Sequence, residues 1–297
     1  MTPKFLNPND IVHILSPSGA IDPNLIDGAK KVLTSWNLKV SEGEFARSEY
    51  GRFAGTKNQR VSDLQNAMDN PEIKAILCSR GGYGLSQIID KLDFTHFSKS
   101  PKWFIGFSDI TVLHNALHNR NIATIHAVMA KQLTELPECS PQIQLLKKIL
   151  FGELPVYSIA SHPLNRNGVA QAQIIGGNLS IILGMRATMY DLKFKHKILF
   201  IEDIDEKPYH IDRMMQNLRI SGVLANLAGL IVGQFSDCKE DSLMKQSIAE
   251  LILDSVKDYN YPVCFNFPSG HVDYNMPLIL GKKTVLNVNE DIVVLKY

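Results

Sequence analysis

A serine set between a glycine-ended apolar run and a helical pattern is the first residue in this chain whose setting suits covalent chemistry. Gly106-Phe107-Ser108-Asp109 follows Trp103-Phe104-Ile105 and precedes a helical pattern that starts at Ile110. This is the strand–turn–helix context of a nucleophile elbow, which would hold the Ser108 hydroxyl out for attack. The match to G-x-S-x-G is incomplete, because Ile110 stands where the last glycine belongs. A second reading is open on these residues alone: Ser108 or Asp109 caps the following helix by accepting from its first amides.

Further candidates lie at other strand ends. Phe200-Ile201-Glu202-Asp203 puts two carboxylates directly after an apolar run, a costly place for charge unless it is paired or solvated. Neighbouring strand residues face opposite sides, so one carboxylate suits orienting an imidazole and the other capping a turn; a solvated strand end is the alternative. His271, in Pro268-Ser269-Gly270-His271, falls at a turn past an apolar run and is the histidine best placed to act as base for a serine, although turn histidines are also ordinary surface residues. Arg80-Gly81-Gly82-Tyr83-Gly84 has the glycines that bring backbone amides close to a ligand. Those amides suit an oxyanion or a phosphate, but the spacing matches no dinucleotide or P-loop pattern. His114 and His118 are four apart on a helical pattern; a metal pair there lacks a third ligand, and a packed or solvated helix face is the simpler reading.

These residues need elements to position them. In the first half, apolar runs at 11–16, 73–79 and 104–107 alternate with helical patterns at 26–36, 85–92 and 111–119, the rhythm of βαβ units around a parallel sheet. Ligands bind at the carboxyl ends of such strands, where the Ser16-Pro17-Ser18-Gly19, Arg80-Gly81-Gly82 and Ser108 segments fall. Prolines at 137, 141, 155 and 163 interrupt the pattern and only 142–150 looks helical, so residues 136–169 read as a linker between an α/β domain at 1–135 and a smaller β-rich α/β domain at 170–297. In the latter, strands are expected at 172–175, 198–201, 229–232, 263–266, 278–280 and 285–295, with helices at 211–218 and 242–256.

Composition narrows the function. The 297 residues carry 31 basic and 30 acidic side chains, a net charge of +1, so no broad field recruits nucleic acid or an anionic membrane. The first ten residues lack signal-peptide character and no run reaches membrane-spanning length, so a cytoplasmic protein is expected. Cys78, Cys139, Cys238 and Cys264 are scattered without a close pair, which suits reduced thiols rather than a zinc site.

Taken together and in order, Gly106-Phe107-Ser108-Asp109, Phe200-Ile201-Glu202-Asp203 and Gly270-His271 resemble the LD-carboxypeptidase family of serine peptidases, which includes the microcin-immunity-type peptidases. Supporting matches are Ser16-Pro17-Ser18, Phe53-Ala54-Gly55-Thr56 with Arg60, Arg80-Gly81-Gly82-Tyr83-Gly84, Gly176-Gly177-Asn178-Leu179 and Pro208-Tyr209 with Ile211-Asp212-Arg213. The resemblance implies a metal- and cofactor-independent hydrolase in which Ser108 is the nucleophile, His271 the base and Glu202 its orienter, with the Gly82 and Asp109 amides as oxyanion hole. It also implies a homodimer and an active site formed where the two domains meet. The implied substrate is a small peptide, the murein tetrapeptide, from which D-alanine is released at diaminopimelate during wall recycling. Arg80, Tyr83 and Arg213 are candidates for substrate binding, a guanidinium being suited to a terminal carboxylate; an ion pair with Asp212 or Glu206 is the alternative for the arginines. The chain departs from the family at His126-Ala127-Val128, where the pattern is His-Gly-Pro. Two other functions compete: cleavage of an acyl-sulfamoyl nucleotide, which calls for an aromatic platform in the C-terminal domain although Trp36 and Trp103 are both N-terminal, and non-catalytic binding of wall fragments.

Overall fold

The computed structural model describes residues 1–239, 241 and 243–297. It divides into two compact units, Met1–Leu154 with Asp273–Leu280, and Pro155–Val272 with Gly281–Tyr297. The strands are β1 (Ile11–Leu15), β2 (Lys39–Glu42), β3 (Ile73–Cys78), β4 (Trp103–Gly106), β5 (Thr124–His126), β6 (Val156–Ala160), β7 (Gly168–Asn178), β8 (Ile198–Ile204), β9 (Gly229–Ser236), β10 (Val263–Cys264), β11 (Leu278–Leu280), β12 (Lys283–Val288) and β13 (Ile292–Lys296). The helices are α1 (Pro23–Ser35), α2 (Lys57–Asp69), α3 (Thr95–Lys99), α4 (Thr111–His118), α5 (Ala130–Glu135), α6 (Pro141–Leu150), α7 (Leu179–Gly184), α8 (Pro208–Ile220) and α9 (Ile248–Ser255).

The first unit is built on a six-stranded sheet in the order β11-β5-β4-β3-β1-β2. Its pairs are parallel except β5 with β11, where Leu278 lies opposite His126. Every residue of β4 and β5 is buried, as expected of parallel strands covered on both faces. Helix α1 starts at Pro23 with the Asp22 carboxylate accepting from Asn24 N–H, and α2 starts with a reciprocal Thr56–Gln59 capping box; both devices satisfy first-turn amides. All eight residues of α4 are buried.

The second unit carries a seven-stranded sheet in the order β10-β9-β8-β7-β12-β13-β6. Strands β7 to β10 pair in parallel, whereas β7, β12, β13 and β6 pair antiparallel. Helices α7, α8 and α9 cover the parallel half through a cluster that includes Ile211, Met215, Leu218 and Ile252.

Several elements differ from the sequence expectations for identifiable reasons. Helix α2 buries Arg60 and Asp63 beside Leu64, Ala67 and Met68, so charge interrupts its apolar stripe and the periodicity is lost. The segment 85–92 forms two short 3₁₀ turns rather than one helix, broken at Ile88, whose φ of −130° leaves the helical region. The run 285–295 is a hairpin, β12 and β13, closed by Asn289 N–H to Ile292 O. The expected helix at 242–256 begins at Ile248 after a Ser247–Glu250 capping box; Ser242 lies outside the described residues. Within 136–169 the helix expected at 142–150 is present as α6 in the first unit, but the segment also supplies β6 to the sheet of the second, so the compact units divide at 154/155.

Candidate active site

In the first unit, β4 ends at Gly106 and the chain turns sharply into a 3₁₀ turn, Ser108–Ile110, that leads into α4. Ser108 takes φ of +67°, a left-handed conformation that non-glycine residues adopt at a cost of about 1–3 kcal/mol and that marks strained functional turns. No side chain caps the 3₁₀ turn or α4, so neither Ser108 nor Asp109 has the capping role. Gly81 presses against the serine: a Cβ there would lie 2.6 Å from Ser108 Cβ, 2.8 Å from Oγ and 3.3 Å from the Asp109 nitrogen. Gly82, the next residue, has φ of +106°. The glycine loop therefore lies on the Ser108 turn, with Gly81, a residue given no role from sequence, in the closest position.

The Asp109 carboxylate points inward. Its Oδ2 accepts from Ser18 Oγ at 2.6 Å and from Leu85 N–H at 2.9 Å. Arg80 donates to the Ala20 carbonyl at 3.1 Å and stays exposed. Tyr83 is 44% exposed, with its ring 5.8 Å from that of Phe53. His114 Nε2 meets the Gly106 carbonyl at 2.9 Å. Its pKa falls to about 3, through burial above all, so it is a neutral donor that braces the end of β4. That is the packed-helix reading of the His114 and His118 pair.

In the second unit, Glu202 sits on β8 and is fully buried. Its Oε2 is 2.7 Å from His271 Nδ1. Gly270 makes this approach possible, because it has φ of +137° and a Cβ would lie 3.1 Å from Glu202 Cβ. The turn is held to β9: Gln234 N–H donates to Ser269 O at 3.0 Å, and Ser236 Oγ donates to His271 O at 2.7 Å. Burial disfavours the imidazolium, but the hydrogen bond and charge of Glu202, with the charge of Asp203, outweigh it and raise the His271 pKa. Nδ1–H donated to Glu202 leaves Nε2 as the basic nitrogen.

Asp203 faces the other way, as strand alternation requires. It accepts from Asn178 Nδ2 and from Ser180 N–H in the first turn of α7, each at 2.8 Å. Burial raises its pKa to about 6, against the lowering effect of the Ile204 and Ser180 amides. One carboxylate thus orients an imidazole and its neighbour caps a helix. Arg213 lies exposed on α8 with its guanidinium 5.6 Å from the Tyr209 ring centroid, while Asp212 accepts from Gln216 and Glu206 contacts His210.

Residues 12–127 match the LD-carboxypeptidase N-terminal domain and residues 171–286 the LD-carboxypeptidase C-terminal domain. The chain is 34% identical to a probable murein peptide carboxypeptidase of Bacillus subtilis, over 99% of this chain and 94% of the relative. It is similar to the crystal structure of muramoyltetrapeptide carboxypeptidase from Oxalobacter formigenes, with a TM-score of 0.87 and 26% identity over 96% of this chain and 97% of that one. The fold is also that of the microcin C7 self immunity protein MccF in complex with aspartyl sulfamoyl adenosine, with a TM-score of 0.87 at 19% identity over 100% of this chain and 98% of that one.

Proposed function

Since the chain belongs to the LD-carboxypeptidase family of serine peptidases and is a carboxypeptidase of that family, we propose that it removes the terminal D-alanine from murein tetrapeptide in cytoplasmic wall recycling. The bond cleaved joins the L-centre of meso-diaminopimelate to the D-residue. Ser108 attacks the scissile carbonyl, His271 Nε2 takes the hydroxyl proton, and the resulting imidazolium is stabilised by Glu202 at Nδ1. The Gly82 and Asp109 amides receive the developing oxyanion. The same imidazolium then protonates the departing amine, and water repeats the sequence to release the acyl group. No metal or cofactor enters these steps, and the working protein is a homodimer. Arg80 and Arg213, together with Tyr83, are the groups for the substrate's free carboxylate end, since a carboxypeptidase must recognise a charged terminus.

The observation that carries this reading is the 2.7 Å His271–Glu202 pair with its carboxylate fully buried. A buried carboxylate paired with an imidazole is costly for stability alone, and it serves to hold the ring's tautomer for proton transfer. Both tryptophans, Trp36 and Trp103, are buried in the first unit, which leaves neither free to stack on a nucleoside base and favours the murein peptide over an acyl-sulfamoyl nucleotide. The test is mass-resolved hydrolysis of L-Ala-γ-D-Glu-meso-diaminopimelate-D-Ala by the parent and by Ser108→Ala with EDTA present. D-alanine released by the parent alone supports the proposal. An intact tetrapeptide in both, with turnover of an acyl-sulfamoyl nucleotide by the parent, would replace it with the other substrate class.

A further inference from the structure

The Asp109 carboxylate takes no part in the proton transfers above, although it stands one residue past Ser108 and is only 1% exposed. A charge kept this dry is costly unless its hydrogen bonds hold something in place. Its partners belong to different loops. Ser18 lies in the loop after β1, Leu85 in the loop after β3, and Asp109 itself in the turn after β4. One carboxylate oxygen therefore gathers three strand-end loops of the first unit.

Arg60 grips the same loops from α2. It is 2% exposed, and its Nη1 donates to the Pro17 carbonyl at 3.1 Å and the Gly84 carbonyl at 2.9 Å, while Nη2 reaches Gln87 Oε1 at 3.2 Å. Phe53 lies against the guanidinium, 4.9 Å from ring centroid to Cζ. Space is tight throughout: a Cβ on Gly84 would fall 2.4 Å from Arg60 Nη1. Between these anchors run Gly81, which abuts Ser108, and Gly82, with Gly81 O accepting from Gly19 N–H at 3.1 Å.

We infer that the Asp109 carboxylate, with Ser18 and Arg60, is a positioning device that keeps the glycine loop and the nucleophile turn in register, so that the amides of residues 82 and 109 stay aimed at one oxyanion. The inference rests on the reading of Ser108 as nucleophile. Preorganised donors act only on the charge that develops in the transition state. Loosening them lowers kcat and leaves ground-state binding, hence KM, nearly unchanged.

Full-length Asp109→Asn, Ser18→Ala and Ser108→Ala are compared with the parent for kcat and KM on the tetrapeptide. They are also compared for the second-order rate of labelling by a fluorophosphonate, which needs the nucleophile and oxyanion site but not the natural substrate, and for thermal melting. The Asp109→Asn change keeps the side chain's shape and removes its charge. Removing a whole oxyanion donor costs on the order of 10²–10³-fold; misaligning two should cost Asp109→Asn about 10–100-fold in kcat and in labelling, with KM within about threefold. Ser18→Ala should fall in the same direction by about 3–10-fold. Parental kcat and labelling in a folded Asp109→Asn, or a loss confined to KM, would overturn the inference. If Asp109→Asn does not fold, Ser18→Ala decides on the same criteria. Labelling of Ser108→Ala at the parental rate would remove the nucleophile reading itself, and the inference with it; parental rates in the other variants with Ser108→Ala silent would remove the inference alone.

Discussion

Among single residues, the Glu202–His271 pair makes its own prediction about pH. The His271 pKa is raised because Glu202 outweighs the cost of burial, and in the proposed mechanism the base must be neutral to accept the Ser108 proton. Activity should therefore rise with pH along a limb whose midpoint lies above the ordinary imidazole value of about 6.5. Glu202→Gln removes the charge that raises the pKa, so the limb should move to lower pH while the plateau kcat drops by about 10²–10⁴-fold. A kcat–pH profile of both proteins checks the two effects separately. The linkage runs oppositely for stability: a raised histidine pKa contributes stability that is present below the unfolded pKa and lost as pH rises through the folded one. Gly270→Ala attacks the pair sterically. The positive φ and the 3.1 Å approach to Glu202 Cβ leave an alanine no relaxed position, and activity should fall at least about tenfold together with the melting temperature. An active, fully stable Gly270→Ala would mean that the turn can move without losing the pair.

Among the secondary-structure elements, α2 carries no residue assigned to a reaction step, yet it delivers Arg60 to the loops around Ser108. Its start depends on the Thr56–Gln59 capping box. Thr56→Ala should cost about 1 kcal/mol, seen as a lower urea midpoint at unchanged slope. This helix is illegible from apolar periodicity because Arg60 and Asp63 occupy its buried face. By contrast, β3 and β4 are legible because nearly every residue in them is apolar and buried. The hairpin β12–β13 reads as a single strand in the sequence because its turn interrupts the apolar residues for only three positions, Asn289, Glu290 and Asp291.

For the molecule as a whole, chain order and compact units do not coincide, because β11 returns from the C-terminal half to complete the first sheet beside β5. Residues 1–154 alone would leave β5 as an open, apolar edge. Such a fragment should melt at lower temperature than the intact chain and aggregate, as followed by circular dichroism and light scattering. The four thiols report on burial in the same way. Cys78 and Cys264 are buried, and burial raises both pKa values, that of Cys264 to about 12; Cys139 is exposed and Cys238 half-buried. A thiol reagent at neutral pH should modify Cys139 first, Cys238 slowly, and the other two only after unfolding.

Strand ends, glycine turns and apolar runs are short-range signals, and they suffice to pick out the candidate residues along the chain: the serine after β4, the carboxylates ending β8, the histidine past β10, and the βαβ rhythm around them. Partnership is another matter. The family resemblance already pairs Glu202 with His271, but that Gly81 rather than Gly82 abuts Ser108, and that Ser18, Arg60 and Asp109 converge on the same loops, emerge from the folded chain. The Ser18–Asp109 and Glu202–His271 contacts join residues 91 and 69 positions apart. No local pattern encodes a partner at that distance; it is set by the order of strands in a sheet and the space that glycine leaves.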